Sequence, residues 1–178
     1  MATFTLPYQP GKLRAEAGKE TVSFPLTRLP VAFLQTANEA KSIRLIADRT
    51  TLKADGQDLA FITVELTDAD GTVNLTANNE LTASVSGAAT LIGFGNADIK
   101  DCDRYTDNTH KAWKGRALLV VRSTGKKGKA TITVQGKGLK TARVNLSFDY
   151  TEYVETIQQL VERWKENLFD DLQVAEVT

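Results

Sequence analysis

The chain has 178 residues, 42% of them apolar, enough for one packed domain and a small addition. Lys+Arg and Asp+Glu both number 22, so the net charge is zero and the basic excess expected of a nucleic-acid or anionic-membrane binder is missing. The single cysteine, Cys102, allows no internal disulfide, and no apolar run approaches the roughly 20 residues that span a bilayer.

In chain order, three parts are expected: 1–38, 39–149 and 150–178. The N-terminus, MATFTLPYQPGKL, has no charged region followed by an apolar stretch, so no signal peptide is expected. Thr3–Leu6 and Leu13–Ala17 read as short strands around the Tyr8-Gln9-Pro10-Gly11 turn, with Thr21–Phe24 as a third. So few strands cannot bury both faces by themselves, and this part must lean on something else.

The second part opens on SIRLIADRTTLKADGQDLAFITVELTDADGTVN. Ile43 and Leu45 flank Arg44, and Ile62, Val64 and Leu66 alternate with Phe61, Thr63 and Glu65 between Asp55-Gly56 and Asp70-Gly71 turns. Period-two apolarity between Asp-Gly breaks is the signature of an antiparallel strand with one buried face. Leu81–Val85, Thr90–Phe94, Arg116–Ser123, Lys129–Gln135 and Leu139–Phe148 continue the pattern, with Asn96–Lys111 as one long irregular loop. Seven short strands in about 100 residues predict an all-β, immunoglobulin-like antiparallel sandwich. Ile62, Val64, Leu119, Val121, Ile132 and Val144 are its expected core.

From Thr151 the period changes. Val154, Ile157, Leu160, Val161, Trp164 and Leu168 recur every three or four residues, which predicts a C-terminal amphipathic helix capped by Thr151 or Asp149. Its stripe is expected to pack on its own chain or on a second copy, burying Trp164 either way. The N-terminal part, with Leu13, Val22, Phe24, Leu26, Val31, Phe33 and Leu34 as its apolar face, raises the same expectation of a homodimer or an intramolecular partner.

No catalytic constellation is expected. Ten glutamates are scattered without a motif. Cys102 and His110 lie in a polar loop whose eight intervening positions fix no dyad geometry. Asp98, Asp101, Asp103 and Asp107 lack the spacing of a calcium loop, so neither metal nor cofactor is expected. Tyr105, His110 and Trp113 stand within nine residues beside Asp101, Asp103 and Asn108. Flat rings beside planar polar groups are what a saccharide site uses, which makes these three the candidate carbohydrate-binding residues. The other reading of Trp113 is a core aromatic.

IRLIADRTTLKADGQDLAFITVELTDADG, SVSGAATLIGFGN and KAWKGRALLVVRSTGKKGKATITVQGKGL together resemble the immunoglobulin-like domain near the C-terminal end of many bacterial glycoside hydrolase family 2 enzymes, the β-galactosidase group. A more distant similarity joins them to the sandwiches of invasin and intimin. Upstream, LPYQPGKLRAEA resembles the closing strands of the domain that precedes this module. TRLPVAFLQTANEAK is longer and more apolar than the family's short link, and the helix is not a regular part of its pattern. The resemblance implies a non-catalytic accessory module, since both catalytic glutamates of that family stand on a separate barrel. Its partners would be the catalytic and other domains of the parent glycosidase, and a periplasmic or secreted location follows, with the cytoplasm left open. An adhesin-type spacer or a carbohydrate-binding module is the alternative.

Overall fold

The computed structural model of the protein describes residues 3, 5–16, 31–150, 157 and 159–165. Two antiparallel layers form the body, as the alternation requires. One is a four-stranded sheet in the order β3 (Ser42–Ala47), β5 (Leu59–Thr67), β9 (Arg116–Ser123), β7 (Ala89–Gly95). The other has five strands in the order β4 (Thr51–Lys53), β11 (Ala142–Asp149), β10 (Gly128–Gly136), β6 (Glu80–Gly87), β8 (Thr109–Lys111). All pairings are antiparallel except β4 with β11.

The core lies between the layers and is built from the apolar phase of each strand. Ile62, Val64, Leu119, Val121 and Ile132 are fully buried, and Val144 packs against them from a partly buried position. Neighbouring strands place like with like: Ile62 faces Leu119 and Val64 faces Ala117 across β5 and β9. Such same-face pairs hold the sheet together and fix its register.

Two strands of the body escaped the sequence reading, β4 and β8. Each has three residues and buries one side chain, Leu52 and His110 respectively. The long loop therefore ends in a strand rather than running irregular to Lys111. The last strand starts at Ala142, because Gly138 at φ 76 and the Leu139 N–H bonded to the Gly136 carbonyl close a turn there.

Ahead of the body, β1 (Lys12–Glu16) pairs with β2 (Val31–Gln35) in a two-stranded ribbon. The stretch read as an apolar link is thus partly strand. Thr3, Thr5 and Leu6 lie outside any strand, and the expected strand at 21–24 falls outside the described residues. Leu13, Phe33 and Leu34 are half or more exposed.

Asp68 ties the chain entering from the ribbon to the sandwich. Its carboxylate accepts the N–H groups of Asn38 (2.9 Å), Asp70 (3.0 Å) and Thr72 (2.9 Å), and the Asn74 amide bonds the Asn38 carbonyl at 2.7 Å. The Asn38 N–H above all, then those of Thr72 and Asp70, hold the Asp68 carboxyl below its ordinary value of 3.8. A depressed folded pKa means stability that is fully present above the unfolded value and lost as pH falls below it toward the folded one. Urea unfolding at pH 7 and at about pH 3 should therefore show a larger acid loss for the wild type than for Asp68→Asn. Equal losses would mean that the carboxylate's charge does not hold this corner.

Residues 159–165 are helical, in phase with the amphipathic period. The stripe is bare, however: Trp164 is 64% exposed, and Ile157, Leu160 and Val161 are likewise exposed. Among the described residues, then, nothing of its own chain covers the stripe; the expected cap at Thr151 and the stripe residues Val154 and Leu168 lie outside the described residues. A period of 3.6 specifies which side of a helix is apolar but not what covers it.

Candidate functional site

The chain between β7 and β8 bridges the edges of the two sheets, and the polar and aromatic candidates gather there. Asn96, the first residue past β7, organises it. Its amide nitrogen donates to Asp101 Oδ2 at 2.7 Å and to the Lys111 carbonyl at 2.9 Å, and lies 3.4 Å from His110 Nδ1. Its carbonyl oxygen accepts the Asp98 N–H at 2.7 Å, and Asp98 and Asp101 in turn accept the Lys100 and Asp103 N–H groups. Asx turns of this kind hold a loop in one shape without a sheet partner.

His110 does not stand in an open polar loop. As the middle residue of β8, opposite the core residue Leu81, it is 1% exposed. Its ring lies 5.9 Å from Phe94 in a tilted contact and stacks on Tyr105 at 5.9 Å and 8°. Tyr105 is 54% exposed, its carbonyl accepts the Phe94 N–H at 2.7 Å, and its ring lies where a side chain at Gly95 would be. Gly95 is therefore required as a bare surface for the tyrosine.

Of the three carbohydrate candidates, the fold brings Tyr105 and His110 together. His110 is covered, so it has no free face for a sugar ring. Trp113 is half-buried and opens a two-residue hairpin: it exchanges both backbone hydrogen bonds with Arg116 across Lys114 (φ 50) and Gly115 (φ 72). Lys114 Nζ lies 4.5 Å over its ring, so a cation already occupies one aromatic face.

The dyad and metal readings can be weighed on the same atoms. Cys102 is exposed and its Sγ sits 3.7 Å from the Lys100 carbonyl, whereas the His110 Nε2 has no polar partner. Thiol and imidazole thus do not address each other. Of the four aspartates, Asp101 and Asp103 converge with His110, their donor atoms within 4.8 Å. The Asn96 amide nitrogen already supplies positive hydrogens to Asp101 and to the Lys111 carbonyl, the work a bound cation would do. The Asp103 N–H and then the Asn96 amide keep the Asp101 carboxyl below its usual value. The Asn96 side chain thus forms a polar latch across the sandwich edge, with His110 Nε2 left without a polar partner beneath it.

A second charged cluster was not singled out from the sequence. Glu65, on the outer face of β5, is 8% exposed and clamped between Arg44 (2.6 and 3.0 Å) and Arg116 (3.1 Å) from the flanking strands. Burial alone would push its carboxyl up, but the two guanidiniums more than offset that and hold it low. The signal was present: Arg44 and Arg116 fall at the same outward phase as Glu65, and cross-strand opposite charges attract. Elsewhere, a shallow solvent-open hollow lies between residues 10–12 and 35–38, without converging charged groups.

With this geometry in hand, similarity to known proteins is specific. Residues 43–145 match the family model of the glycoside hydrolase family 2 C-terminal domain 5. A curated relative, beta-galactosidase BoGH2A of Bacteroides ovatus, is 38% identical over 112 residues, covering 63% of this chain and 13% of that protein. Among solved structures, a family 2 member from Bacteroides cellulosilyticus is 36% identical with a TM-score of 0.71, over 79% of this chain and 19% of the other. A beta-glycosidase from Bacteroides vulgatus is 28% identical with a TM-score of 0.69, over 80% and 18% respectively. The chain thus spans under a fifth of the length of these relatives.

Proposed function

Because the chain belongs to the glycoside hydrolase family 2 C-terminal domain 5 family, we propose that it is a non-catalytic accessory module of a β-galactosidase-like glycosidase, bracing the neighbouring domains or shaping the edge of the cleft. The observation that carries this reading is the match over residues 43–145, which coincides with the two-layered body, together with the small share of each relative that the chain spans. The chemistry of the described residues agrees. A retaining glycosidase needs two carboxylates about 5 Å apart, one of them free to attack. Glu65 is the buried glutamate among the described residues, and both its oxygens are held by arginine.

The pure chain is expected to release no chromophore from a nitrophenyl β-galactoside. Turnover that a Glu65→Gln change abolishes would overturn the non-catalytic reading. The bracing role is read in the parent enzyme: deleting the sandwich should lower its melting temperature while leaving the barrel's chemistry measurable. An unchanged melting temperature and unchanged kcat/KM would count against it.

A further inference from the structure

We propose that the outer face of the four-stranded sheet is the dock for the C-terminal helix of a second copy of this chain. This goes beyond the accessory role and does not depend on it. The face is apolar where a solvated sheet alternates to polar. Ile46 on β3, Phe61 on β5, and Leu118 and Val120 on β9 point away from the core, and Ile46, Phe61 and Leu118 are 48%, 42% and 42% exposed. The registers join them: Ile46 faces Thr63, which faces Leu118, and Phe61 faces Val120. Leu118 in turn faces Gly95, on which the half-exposed Tyr105 ring lies. The result is an apolar band over β3, β5 and β9, interrupted by Thr63 and reached at the β7 edge by the Tyr105 ring. A contiguous apolar patch with a charged rim marks an interaction surface rather than scattered exposure.

Its occupant is argued from charge, size and what the chain leaves bare. Arg44 and Arg116 border the band and share the single carboxylate of Glu65, while Arg122 extends β9 at the other border. Asp48, beside Phe61, and Asp58 are paired with Arg49 on the same border, so the rim carries only a small basic excess, while residues 1–150 as a whole carry 20 Lys and Arg against 15 Asp and Glu. Segment 151–178 carries seven Asp and Glu against Arg163 and Lys165, in a chain whose charges sum to zero as a whole. The acidic excess of the molecule thus sits on the segment bearing the second bare apolar surface, Ile157, Leu160, Val161 and Trp164. From Ile157 to Trp164 a helix rises about 10 Å, and four strands span about 14 Å between the outer axes, so the stripe fits within the band. Among the described residues the stripe and the face are both uncovered, which leaves each for a partner copy. Reciprocal exchange closes the pair with two equivalent contacts and leaves no open surface to propagate.

The test is the association state of the full chain by sedimentation equilibrium, at low and physiological salt. A dimer that weakens as salt rises is expected. Leu118→Arg and Trp164→Glu should each give a monomer with wild-type circular dichroism, whose melt no longer depends on protein concentration. Mixed together, the two variants should pair, because the helix of the first and the face of the second are intact. A chain monomeric at every concentration overturns the proposal, as does a dimer that survives Leu118→Arg, which would place the contact on the helices or the β1–β2 ribbon. A monomer whose Trp164, in a Trp113→Phe background, is shielded from quencher overturns it too, since the helix would then dock on its own chain.

Discussion

Val121→Asp should abolish the cooperative unfolding transition of the sandwich. Val121 is fully buried at the centre of β9, between Ala60 on β5 and Leu91 on β7. The change removes about 1.5–3 kcal/mol of apolar burial and places in its stead a carboxyl without a partner, at a cost of several kcal/mol more. Domains of this size are stable by only about 5–15 kcal/mol, so most of that margin is consumed. Leu118→Asp is the control. Leu118 lies three residues earlier on the same strand, on the opposite face, and is 42% exposed in the single chain, so in the monomer an aspartate there stays in water and costs about 1 kcal/mol or less. Thermal melts of the two variants decide the matter. Equal destabilisation would mean that β9 does not have one wet and one dry face.

That contrast rests on a pattern the sequence carries openly. β9 and β10 are eight and nine residues long and pass through two environments in alternation, as does β5 up to Val64, which no helix period imitates. β4 and β8 were illegible for the opposite reason. A three-residue strand that buries only its middle side chain offers no alternation, and in β8 that side chain is a histidine between Thr109 and Lys111. His110 is inside because Phe94, Tyr105 and the Asn96 latch close around it, and those neighbours come from the far side of a loop. The aromatic and acidic residues there were visible as a group. That the Asn96 amide joins Asp101 to the Lys111 carbonyl is a contact that spacing does not reveal. The helix shows the same division: its apolar side was readable, its bareness within the chain was not.

The hairpin from Trp113 to Arg116 extends this point and carries the second large effect. Lys-Gly is a weaker turn signal than Asn-Gly, yet Lys114 and Gly115 both take positive φ, as a type I′ turn demands. Gly115 is also stitched on both sides: its N–H donates to the Ala77 carbonyl at 2.7 Å, and its carbonyl accepts the Leu66 N–H at 2.8 Å. A Cβ at this position would collide with the Asn74 carbonyl, which is backbone and cannot swing away. Gly115→Ala should therefore cost more than the roughly 1–2 kcal/mol of a left-handed alanine. Relieving the collision pulls one or both stitched hydrogen bonds apart, each about 1–3 kcal/mol once a buried partner is left unsatisfied. A total of about 3 kcal/mol follows. Gly125→Ala separates the two contributions, because Gly125 has a similar φ of 77 but only ordinary contacts with Gly56 around its missing Cβ. In urea titrations Gly125→Ala should show the conformational cost alone, with Gly115→Ala clearly below it in stability. If the two variants unfold at the same denaturant concentration, the close approach of Asn74 to the turn does not constrain the fold, and the hairpin is held by its φ angles only.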